Sequence, residues 1–497
     1  MALRSTVSPT LDFYPKLELM DEKFIKEIVE NTVDWAHQAH GMVMRTRKAP
    51  NRSDICQSAP CTLFPSPFPS NLFQEAIDIQ QAFSLLYFRV SWDFDFLIKA
   101  HVEVIKTDEF TRHLVEILKD VWDAGIWQKK TLLIQRNDYM CHEDVHGNRF
   151  LKQIEVNNIA ASMGSLAALT SCMHRRLLET MRIPKDIIKI AVPENRAVDT
   201  ISEGIFEAWR DYGMNEAVVL FVVEDVSQNQ IDQRHIEYRL ENISNRRTRC
   251  LRITLTDGAE RLTVAENHHL LLDNKFHVAV VYFRAGYSPE HYQTAREWIT
   301  RRNIELSDAI KCPWIGLQLA NTKKVQQLLS EKGILEKYIT DDRLCERIKK
   351  TFAGLWSLEN DDIETRKIIN NAIADPEKFV LKPQLEGGAG NYYGQEVAEQ
   401  LKTMNKEEIA ALTLMERITP MVVKNYLIRP EEEPVMVDIV GELGIYAYVY
   451  GSPAIGTSQE EVITNHVGGH IVRSKGKNVD KGGIAIGAAV VDSPYLF

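Results

Sequence analysis

The segment 379–394, FVLKPQLEGGAGNYYG, carries the residue types best suited to phosphate chemistry. Its first residues are apolar and predict a strand, after which Lys382, Gln384 and Glu386 occupy alternate positions and so share one face. Residues 387–390 have minimal side chains, so their backbone can approach a ligand closely and direct N–H groups at anionic oxygens. A lysine, a carboxylate and a glycine-rich loop together indicate a site for phosphate and a metal ion. The alternative is an ordinary hairpin whose glycines make a turn.

Two polar residues of another predicted strand could serve the same metal. In the segment 150–157, FLKQIEVN, Glu155 and Asn157 are two positions apart. That spacing is about 6.6 Å along a strand, so both side chains can face one hard cation. A few oxygen ligands that leave room for water and phosphates suit Mg²⁺. Glu386 would add a third oxygen ligand, which favours a magnesium site over a solvated strand face.

The C-terminal segment contributes cations. Arg473 and Lys475 are two positions apart and precede Gly482 and Gly483. If this segment is extended, both side chains point at one anionic ligand. The alternative is a solvated basic loop.

Two histidine patterns do not predict a metal site. The segment 142–146, HEDVH, matches the zinc-protease pattern HExxH, which needs a helix to bring both imidazoles onto one face. Here it lies between a predicted strand and a turn signal at 147–148. Three residues separate His466 from His470, and two of them are glycines. We interpret all four histidines as surface or core residues.

Two common nucleotide signatures are missing. The sequence contains no GxxxxGK[ST] phosphate loop, and no GxGxxG follows a predicted strand. Any ATP site in this chain must therefore be of another kind.

The bulk composition restricts the partners and the location. The chain has 497 residues and a net charge of -10, which argues against nonspecific binding to nucleic acid or to anionic membranes. The first residues carry acids and lack the apolar core of a signal peptide, and no run approaches the roughly 18 apolar residues that span a bilayer. We expect a cytoplasmic protein with no membrane or nucleic-acid partner. The seven scattered cysteines predict free thiols.

The remaining patterns supply elements that could position these residues. Residues 131–140 predict a buried strand that ends in polar residues, and residues 322–339 predict one amphipathic helix. Between them, apolar strands alternate with a helix, which predicts a small parallel sheet covered on both sides. Its predicted strands and helix are 217–223, 231–243 (helical), 251–256 and 276–284.

Eight segments, in this order, resemble one family: the eukaryotic-type glutathione synthetases. The resemblance covers the chain from about 135 to 495. The segments that carry it are RNDYM at 136–140, QIEVNNIAAS at 153–162, YFRAGY at 282–287, QLANTKKVQQ at 318–327, LKPQLEGGAGNYYG at 381–394, LMERI at 414–418, ELGI at 442–445, and RSK at 473–475 with GGIA at 482–485.

The resemblance implies a mixed α/β ATP-grasp fold, a homodimer, and ligation of γ-glutamylcysteine to glycine with ATP consumed to ADP and phosphate. It implies a catalytic body of residues 1–217 and 321–497, a mobile lid at about 355–441, and an inserted substrate-binding α/β domain of residues 218–320. The body and lid would bind ATP and Mg²⁺, and the inserted domain would bind the dipeptide.

The resemblance also assigns roles residue by residue. Arg473 and Lys475 are the catalytic candidates, and the Mg²⁺ ligands are Glu155, Asn157 and Glu386. The residues implied for ATP are Glu155, Lys323, Lys382, Glu386, Gly387, Gly388, Ala389, Gly390, Asn391, Tyr393, Met415, Glu416, Arg417, Ile418, Glu442, Lys475 and Lys481. The residues implied for the dipeptide are Arg136, Ile159, Ala160, Ala161, Ser162, Ser227, Asn229, Gln233, Arg284, Tyr287, Arg473, Ile484 and Ala485.

Three departures from the family's pattern bear on specificity. Ala160 stands where the family usually has a serine that touches the dipeptide, and Ser227 stands where a glutamate often contacts its amino end. Ala389 and Gly390 replace the common Gly and Asn of the glycine-rich loop. The first two changes remove polar contacts to the γ-glutamyl group, whereas the groups expected to transfer phosphate are all present.

Two other functions fit the same residues. One is an ATP-grasp ligase that joins a different amine, such as β-alanine, or another γ-glutamyl acceptor. The other is a catalytically silent ATP-binding or dimer-scaffold protein. Phosphate release from ATP in the presence of γ-glutamylcysteine, with glycine, with other amines and with none, separates the three.

The sequence generates a first prediction at Glu386. The substitution Glu386→Gln removes a metal ligand while keeping the size of the side chain, so we expect it to abolish turnover. Steady-state ATP consumption measures this effect. A near-normal rate in the variant would contradict the metal-binding role.

Overall fold

The computed structural model describes residues 10–38, 41–384, 390–455, 458–480, 483–484 and 487–497. The chain folds as a mixed α/β protein, as the sequence predicts. The helices are α1 Glu22–Gln38, α2 Ser70–Val90, α3 Phe94–Ala100, α4 Val104–Thr107, α5 Glu109–Ala124, α6 Gly164–Thr180, α7 Lys185–Ala191, α8 Ala197–Tyr212, α9 Gln230–Ile243, α10 Leu255–Arg261, α11 Ala295–Glu305, α12 Ile315–Ala320, α13 Lys323–Leu329, α14 Leu335–Tyr338, α15 Asp342–Thr351, α16 Ile363–Ala374, α17 Gln395–Thr403 and α18 Lys406–Ala410. Short 3₁₀ turns span Leu11–Phe13, Leu17–Leu19, Pro289–His291 and Pro376–Lys378.

The strands form three main sheets and two small ones. They are β1 Val43–Arg45, β2 Cys56–Ser58, β3 Cys61–Thr62, β4 Ser66–Phe68, β5 Thr131–Glu143, β6 Arg149–Asn157, β7 Val218–Val222, β8 Cys250–Ile253, β9 Leu262–Val264, β10 Leu270–Leu272, β11 Phe276–Phe283, β12 Ile310–Cys312, β13 Leu355–Ser357, β14 Phe379–Lys382, β15 Tyr392–Tyr393, β16 Thr413–Glu416, β17 Val422–Ile428, β18 Val435–Ser452, β19 Glu461–Gly476, β20 Val490–Asp492 and β21 Pro494–Leu496. Among the described residues, none of the helices has the length and apolar character needed to cross a bilayer.

The central sheet has seven strands in the order β17-β3-β20-β19-β18-β5-β6. The long strand β18 pairs with β19 along one edge, while its other edge pairs first with β17 and then with β5. Side chains alternate between the two faces of β18. Leu443, Ile445 and Val449 belong to the same core cluster as helix α2. Tyr446, Tyr448 and Tyr450 share the other cluster with helices α6 and α8, so both faces of the sheet are covered.

The segment 218–320 contains the predicted parallel sheet, and we call this segment the inserted domain below. Strands β8, β7, β11 and β12 are parallel, and β10 and β9 extend the sheet in antiparallel pairing. The predicted strand 251–256 is too long. Strand β8 ends at Ile253, and the side chain of Thr254 accepts a hydrogen bond from the backbone N–H of Asp257, which caps helix α10.

A small domain, residues 355–416, has its own antiparallel sheet in the order β13-β16-β14-β15 and its own apolar core with helices α16 and α17. Strand β17 and the first half of β18 lie within the predicted lid range 355–441, and both are paired in the central sheet.

The prediction of one helix over 322–339 is wrong. Helix α13 ends at Leu329, and the connection to α14 contains Gly333 with a φ of 86°, a left-handed conformation that a continuous helix cannot contain.

The interpretation of the HEDVH segment as a strand and turn is confirmed. Strand β5 extends to Glu143, and residues 144–148 form the turn to β6, where Gly147 has a φ of 79°. His142 and His146 are therefore not on a helix.

All seven cysteines are free thiols, also as predicted.

A buried carboxylate joins the C-terminal strands of the central sheet. Asp492 in β20 is fully buried and accepts hydrogen bonds from the hydroxyl of Ser474 in β19 at 2.6 Å and from the hydroxyl of Ser66 in β4 at 2.5 Å. Burial raises the pKa of Asp492 to about 6, although these two hydroxyls act in the opposite direction. The group therefore resists ionisation in the folded chain.

We predict that Asp492 makes the folded chain less stable as the pH rises from about 4 to about 6. In this range the unfolded chain loses the Asp492 proton while the folded chain keeps it, so ionisation favours unfolding. The substitution Asp492→Asn removes the titration and keeps the shape. Relative to this variant, the wild-type free energy of unfolding should fall by up to about 3 kcal/mol across the range, as measured by urea denaturation at several pH values. A difference that does not change with pH would contradict the prediction.

Candidate active site

One face of the central sheet carries a group of charged residues. The group lies next to Glu442 and Gly444 of β18, which precede Tyr446, Tyr448 and Tyr450 on the same face. Strand pairing places side chains from β5, β6, β18 and β19 next to one another on this face. The register gives three cross-strand rows: Glu442 with Arg473; Gly444 with Asp138 and Glu155; and Tyr446 with Arg136 and Asn157.

Gly444 leaves a gap that its neighbours occupy. A Cβ atom at this position would lie 2.6 Å from Oδ1 of Asp138 and 2.8 Å from Cδ of Arg136. These distances are shorter than van der Waals contact. Without a side chain at 444, the two charged groups of β5 can extend across β18.

The carboxylate of Asp138 is the common partner of the cationic groups on this face. It is fully buried and accepts hydrogen bonds from Arg136 through Nε at 2.7 Å and Nη2 at 2.8 Å. Nη2 of Arg473 donates to it at 2.8 Å, and the amide nitrogen of Asn157 donates at 2.9 Å. Nη1 of Arg136 donates to the carbonyl oxygen of Ser162 at 3.2 Å. Asp138 therefore fixes both guanidinium groups.

Three carboxylates lie close enough together to hold a metal ion. One oxygen from each of Asp138, Glu155 and Glu442 lies within 4.8 Å of the others. Arg473 contacts Glu442 and lies 3.6 Å from Glu155, and Lys323 lies 3.2 Å from Glu155. Clustered oxygen donors with neighbouring cations fit a hard divalent cation that also binds phosphate.

The electrostatics of the cluster keep Glu155 ionised. Burial by itself raises the pKa of Glu155, but the charges of Lys323, Arg473 and Lys382 outweigh burial and lower the pKa to about 2. Burial and the nearby Lys323 lower the pKa of Lys382 to about 8. Burial raises the pKa of Glu442 against the effect of Arg473. The cluster thus offers anionic oxygen to a metal and closely spaced cations to an anion.

A cleft with a cavity volume of about 170 Å³ opens beside this cluster, between the central sheet and the sheet of the small domain. Its lining includes apolar side chains suited to a planar aromatic group, and lysines and arginines suited to phosphates. The apolar residues are Met140, Ile154, Val380, Met415, Ile418 and Val440, and the cations are Lys382, Arg417, Arg473, Lys475 and Lys477.

The cleft brings together most of the residues that the resemblance implies for ATP. Lys323 contacts Glu155 beside the cleft, and Gly390 is an exposed turn residue. The residues that line the cleft are Glu155, Lys382, Asn391, Tyr393, Met415, Glu416, Arg417, Ile418, Glu442 and Lys475. The residues Glu386, Gly387, Gly388, Ala389 and Lys481 lie outside the described part of the chain.

The segment 159–162, implied for the dipeptide, lies next to the charged face. Its Ser162 carbonyl accepts hydrogen bonds from Arg136 and, at 2.6 Å, from the hydroxyl of Tyr446. Ile159 and Ala161 are buried, and Ala160 has a φ of 51°, an uncommon conformation outside glycine. The carboxylate of Asp232 in α9 accepts from the backbone N–H of Met163 at 2.8 Å, which ties this segment to the inserted domain.

Asp232 brings further dipeptide candidates to the same region. Asn229 lies 3.4 Å from Asp232, and Gln233 accepts a hydrogen bond from Arg252 at 2.7 Å. Arg284 is buried, and within the described residues its Nε and Nη1 atoms have no hydrogen-bond partner. A buried guanidinium with unused donors is suited to a ligand carboxylate.

The other dipeptide candidates lie at the edge of this region. The ring of Tyr287 packs edge-on against His291, with ring centres 4.7 Å apart. Ser227 is buried, and Ile484 is buried and lines a separate cavity beside Gln228. Ala485 lies outside the described residues.

The sequence prediction omitted two acids of the site. Asp138 could have been noticed as an acid two positions after Arg136 in a largely apolar strand. Glu224, which directly follows the buried segment 217–223, lies 3.0 Å from His291. Burial raises the pKa of Glu224, but the contact with His291 outweighs it and lowers the pKa. Glu224 lies three residues before Ser227, so it supplies an acid near the position where the family often has one.

Comparisons with known proteins agree with this arrangement. Residues 22–496 match the family model described as eukaryotic glutathione synthase, ATP binding domain. The chain is 40% identical to the glutathione synthetase of Xenopus laevis and 39% identical to that of Homo sapiens, in each case over 96% of this chain and 98% of the relative. It is 34% identical to the chloroplastic glutathione synthetase of Solanum lycopersicum, over 96% of this chain and 85% of the relative.

A solved structure is similar over the same extent. The apoform of a glutathione synthetase like-effector from Globodera pallida superposes with a TM-score of 0.75 at 30% sequence identity, covering 96% of this chain and 98% of that one. The similarity therefore includes the central sheet, the inserted domain and the small domain. The chain belongs to the eukaryotic glutathione synthetase family.

Proposed function

We propose that the chain joins γ-glutamylcysteine to glycine and consumes one ATP, releasing ADP and phosphate. The observation that carries this proposal is the meeting of three features at one point: the acid cluster around Asp138, the cationic end of the cleft, and the Arg136–Ser162 contact that leads to the inserted domain. A nucleotide in the cleft would place its phosphates between the metal ligands and a carboxylate substrate.

The reaction has two steps. A carboxylate oxygen of the dipeptide attacks the γ-phosphorus of ATP, and the bond to the ADP oxygen breaks, which gives an acyl phosphate. The amine of glycine then attacks the acyl carbon, phosphate leaves, and the amine loses a proton. Negative charge develops on the phosphoryl oxygens in the first step and on the acyl oxygen in the second.

The residues of this chain supply the positioning and the positive charge. Lys323 contacts Glu155, and Lys382 lines the cleft and lies close enough to lower the pKa of Glu155, so both cations would bind the phosphates. Lys475 lines the same cleft, where its ammonium group donates to the carbonyl oxygen of Asp480 at 2.6 Å. Arg473 is fixed by the acids of the cluster, so its charge is preorganised for the acyl-transfer step.

Mg²⁺ fits the donor set. Glu155, Asn157 and Glu386 would hold it, with Asp138 and Glu442 nearby as further oxygen donors. When bound, Mg²⁺ would neutralise charge on the phosphates. The buried carboxylates keep the cations of this chain at the same place, because they balance positive charge that burial would otherwise make unfavourable.

The inserted domain is suited to the γ-glutamyl head group. The unused donors of Arg284 would bind its carboxylate, and Glu224 would bind its ammonium group in place of the acid that is missing at Ser227. Ala160 offers no side-chain hydrogen bond. A ligase for a different amine or a different γ-glutamyl substrate is the second candidate, because Ala160 and Ser227 are the two departures nearest to this group.

Two further features belong to the proposal. The small domain would close over the acyl phosphate and keep water from it, as a lid. A homodimer and a cytoplasmic location are supported by the resemblance to the family.

The test of the proposed function is an assay with purified protein, ATP, Mg²⁺ and γ-glutamylcysteine. We expect glutathione and phosphate in equal amounts with glycine, much less product with β-alanine, and little phosphate without an amine. EDTA in excess should stop the reaction. Preference for another amine would support the second candidate, and no phosphate release under any condition would exclude both enzyme functions.

A second prediction concerns the gap at Gly444. The substitution Gly444→Ala would push against Asp138 and Arg136, and overpacking of this kind costs about 1–3 kcal/mol. We expect kcat/KM for γ-glutamylcysteine to fall by roughly 10- to 100-fold. Gly476→Ala in β19 is the matched control, since the nearest neighbour to its Cβ would be Val479 at 3.6 Å. Equal effects of the two substitutions would contradict the role of the gap.

A further inference from the structure

Two adjacent lysines begin helix α13, and they make contacts in different parts of the protein. Successive residues of a helix point about 100° apart, so their side chains leave in different directions. Lys323 contacts Glu155 in the central sheet at 3.2 Å. Lys324 contacts the small domain, where its ammonium group lies 2.9 Å from the hydroxyl of Ser357 and 2.9 Å from a carboxylate oxygen of Glu359.

The charge of Lys324 is buried. Only 3% of its side chain is exposed, whereas the side chain of Glu359 is 26% exposed. A buried ammonium group that loses its partners leaves a desolvated charge, which is costly. The contact with the small domain is therefore hard to break without a compensating change.

Gln384 makes a second connection at the same point. Its Oε1 atom accepts from the backbone N–H of Lys324 at 2.9 Å, and its Nε2 atom donates to the carbonyl oxygen of Ala411 at 2.9 Å. The N–H groups in the first turn of a helix have no partner within the helix, so Gln384 satisfies one of them. Gln384 also lies two residues after Lys382, which lines the cleft.

Through these contacts, the positions of Lys323 and Lys382 both depend on the first turn of helix α13. Lys323 is next to Lys324 in the chain, and Lys382 is on the strand whose end Gln384 attaches to the same helix. A displacement of the small domain would separate Lys382 from Lys323. The same displacement would break the contacts of Lys324 and Gln384, so the small domain prefers distinct positions over a continuous range.

We propose that Lys324 and Gln384 are positioning residues that hold the small domain over the reacting groups until the amine attacks. The inference rests on the proposed function and adds a role for residues that do not themselves contact substrate. With the small domain held, water is kept from the acyl phosphate. When it is not held, water attacks the acyl carbon, phosphate leaves and the dipeptide carboxylate is regenerated. The net result is hydrolysis of ATP without peptide formation.

The informative measurement is the amount of phosphate released per peptide formed. We expect a ratio near 1 for the wild type. Lys324→Met keeps the apolar stem and removes the charge and its hydrogen bonds, so the ratio should rise at least about 3-fold at saturating substrate. The ratio isolates water access, because a general loss of stability lowers both rates together and leaves it unchanged.

The matched control is Lys406→Met. Lys406 is a lysine within the small domain, unlike Lys324 of α13, and it pairs with Asp361 of the same domain at 2.9 Å. Both side chains are exposed, so the pair makes no connection to the central sheet or to α13. We expect the ratio in this variant to stay near 1. Thermal unfolding of each variant checks that the protein is folded.

A milder substitution covers the case in which Lys324→Met does not fold. Ser357→Ala removes one of the two partners of Lys324 and leaves Glu359, so it should raise the ratio by a smaller factor in the same direction. A ratio near 1 in folded Lys324→Met, or in Ser357→Ala if the first variant does not fold, would overturn the inference. Absence of peptide in the wild type would instead overturn the proposed function, and the inference with it.

Discussion

The fully buried carboxylate of Asp138 is the interaction on which the rest of the site depends. Two guanidinium groups share it, and they come from β5 and β19, which lie on opposite sides of β18. The interaction can cross β18 only because Gly444 has no side chain. The register of three strands is therefore held by charge as well as by apolar packing. A shift of any one strand would leave an unpaired charge in a buried position.

The charge of the whole chain and the charge of the cleft have opposite signs. The chain carries a net charge of -10, yet five lysines and arginines line the cleft. Buried acids lie among these cations, and the charges of Lys323, Arg473 and Lys382 lower the pKa of Glu155. A polyanion is thus attracted locally by a protein that repels nucleic acid and anionic surfaces as a whole.

The sequence predicted those parts of the fold and site that depend on local pattern. The strand containing Glu155 and the parallel strands of the inserted domain follow from alternation and apolar runs, and the structure contains both. The prediction of one helix over 322–339 was wrong because a turn that contains Gly333 separates α13 from α14, and periodicity alone does not show where a turn interrupts a favourable pattern. Asp138 was missed for a different reason. Its importance comes from cross-strand neighbours more than 300 residues away in β18 and β19, which no local window contains.

The long strand β18 has a consequence for how the chain can vary in length. The face that carries Glu442 and Gly444 continues as Tyr446, Tyr448 and Tyr450, which pack in the core with helix α8. Because side chains alternate along a strand, inserting or deleting one residue between these two parts would exchange the faces of one part relative to the other. Either the acid would turn away from the cleft or the tyrosines would leave the core. Within this strand the number of residues is therefore as strongly constrained as their identity, and natural length variation should be confined to the turns at its two ends.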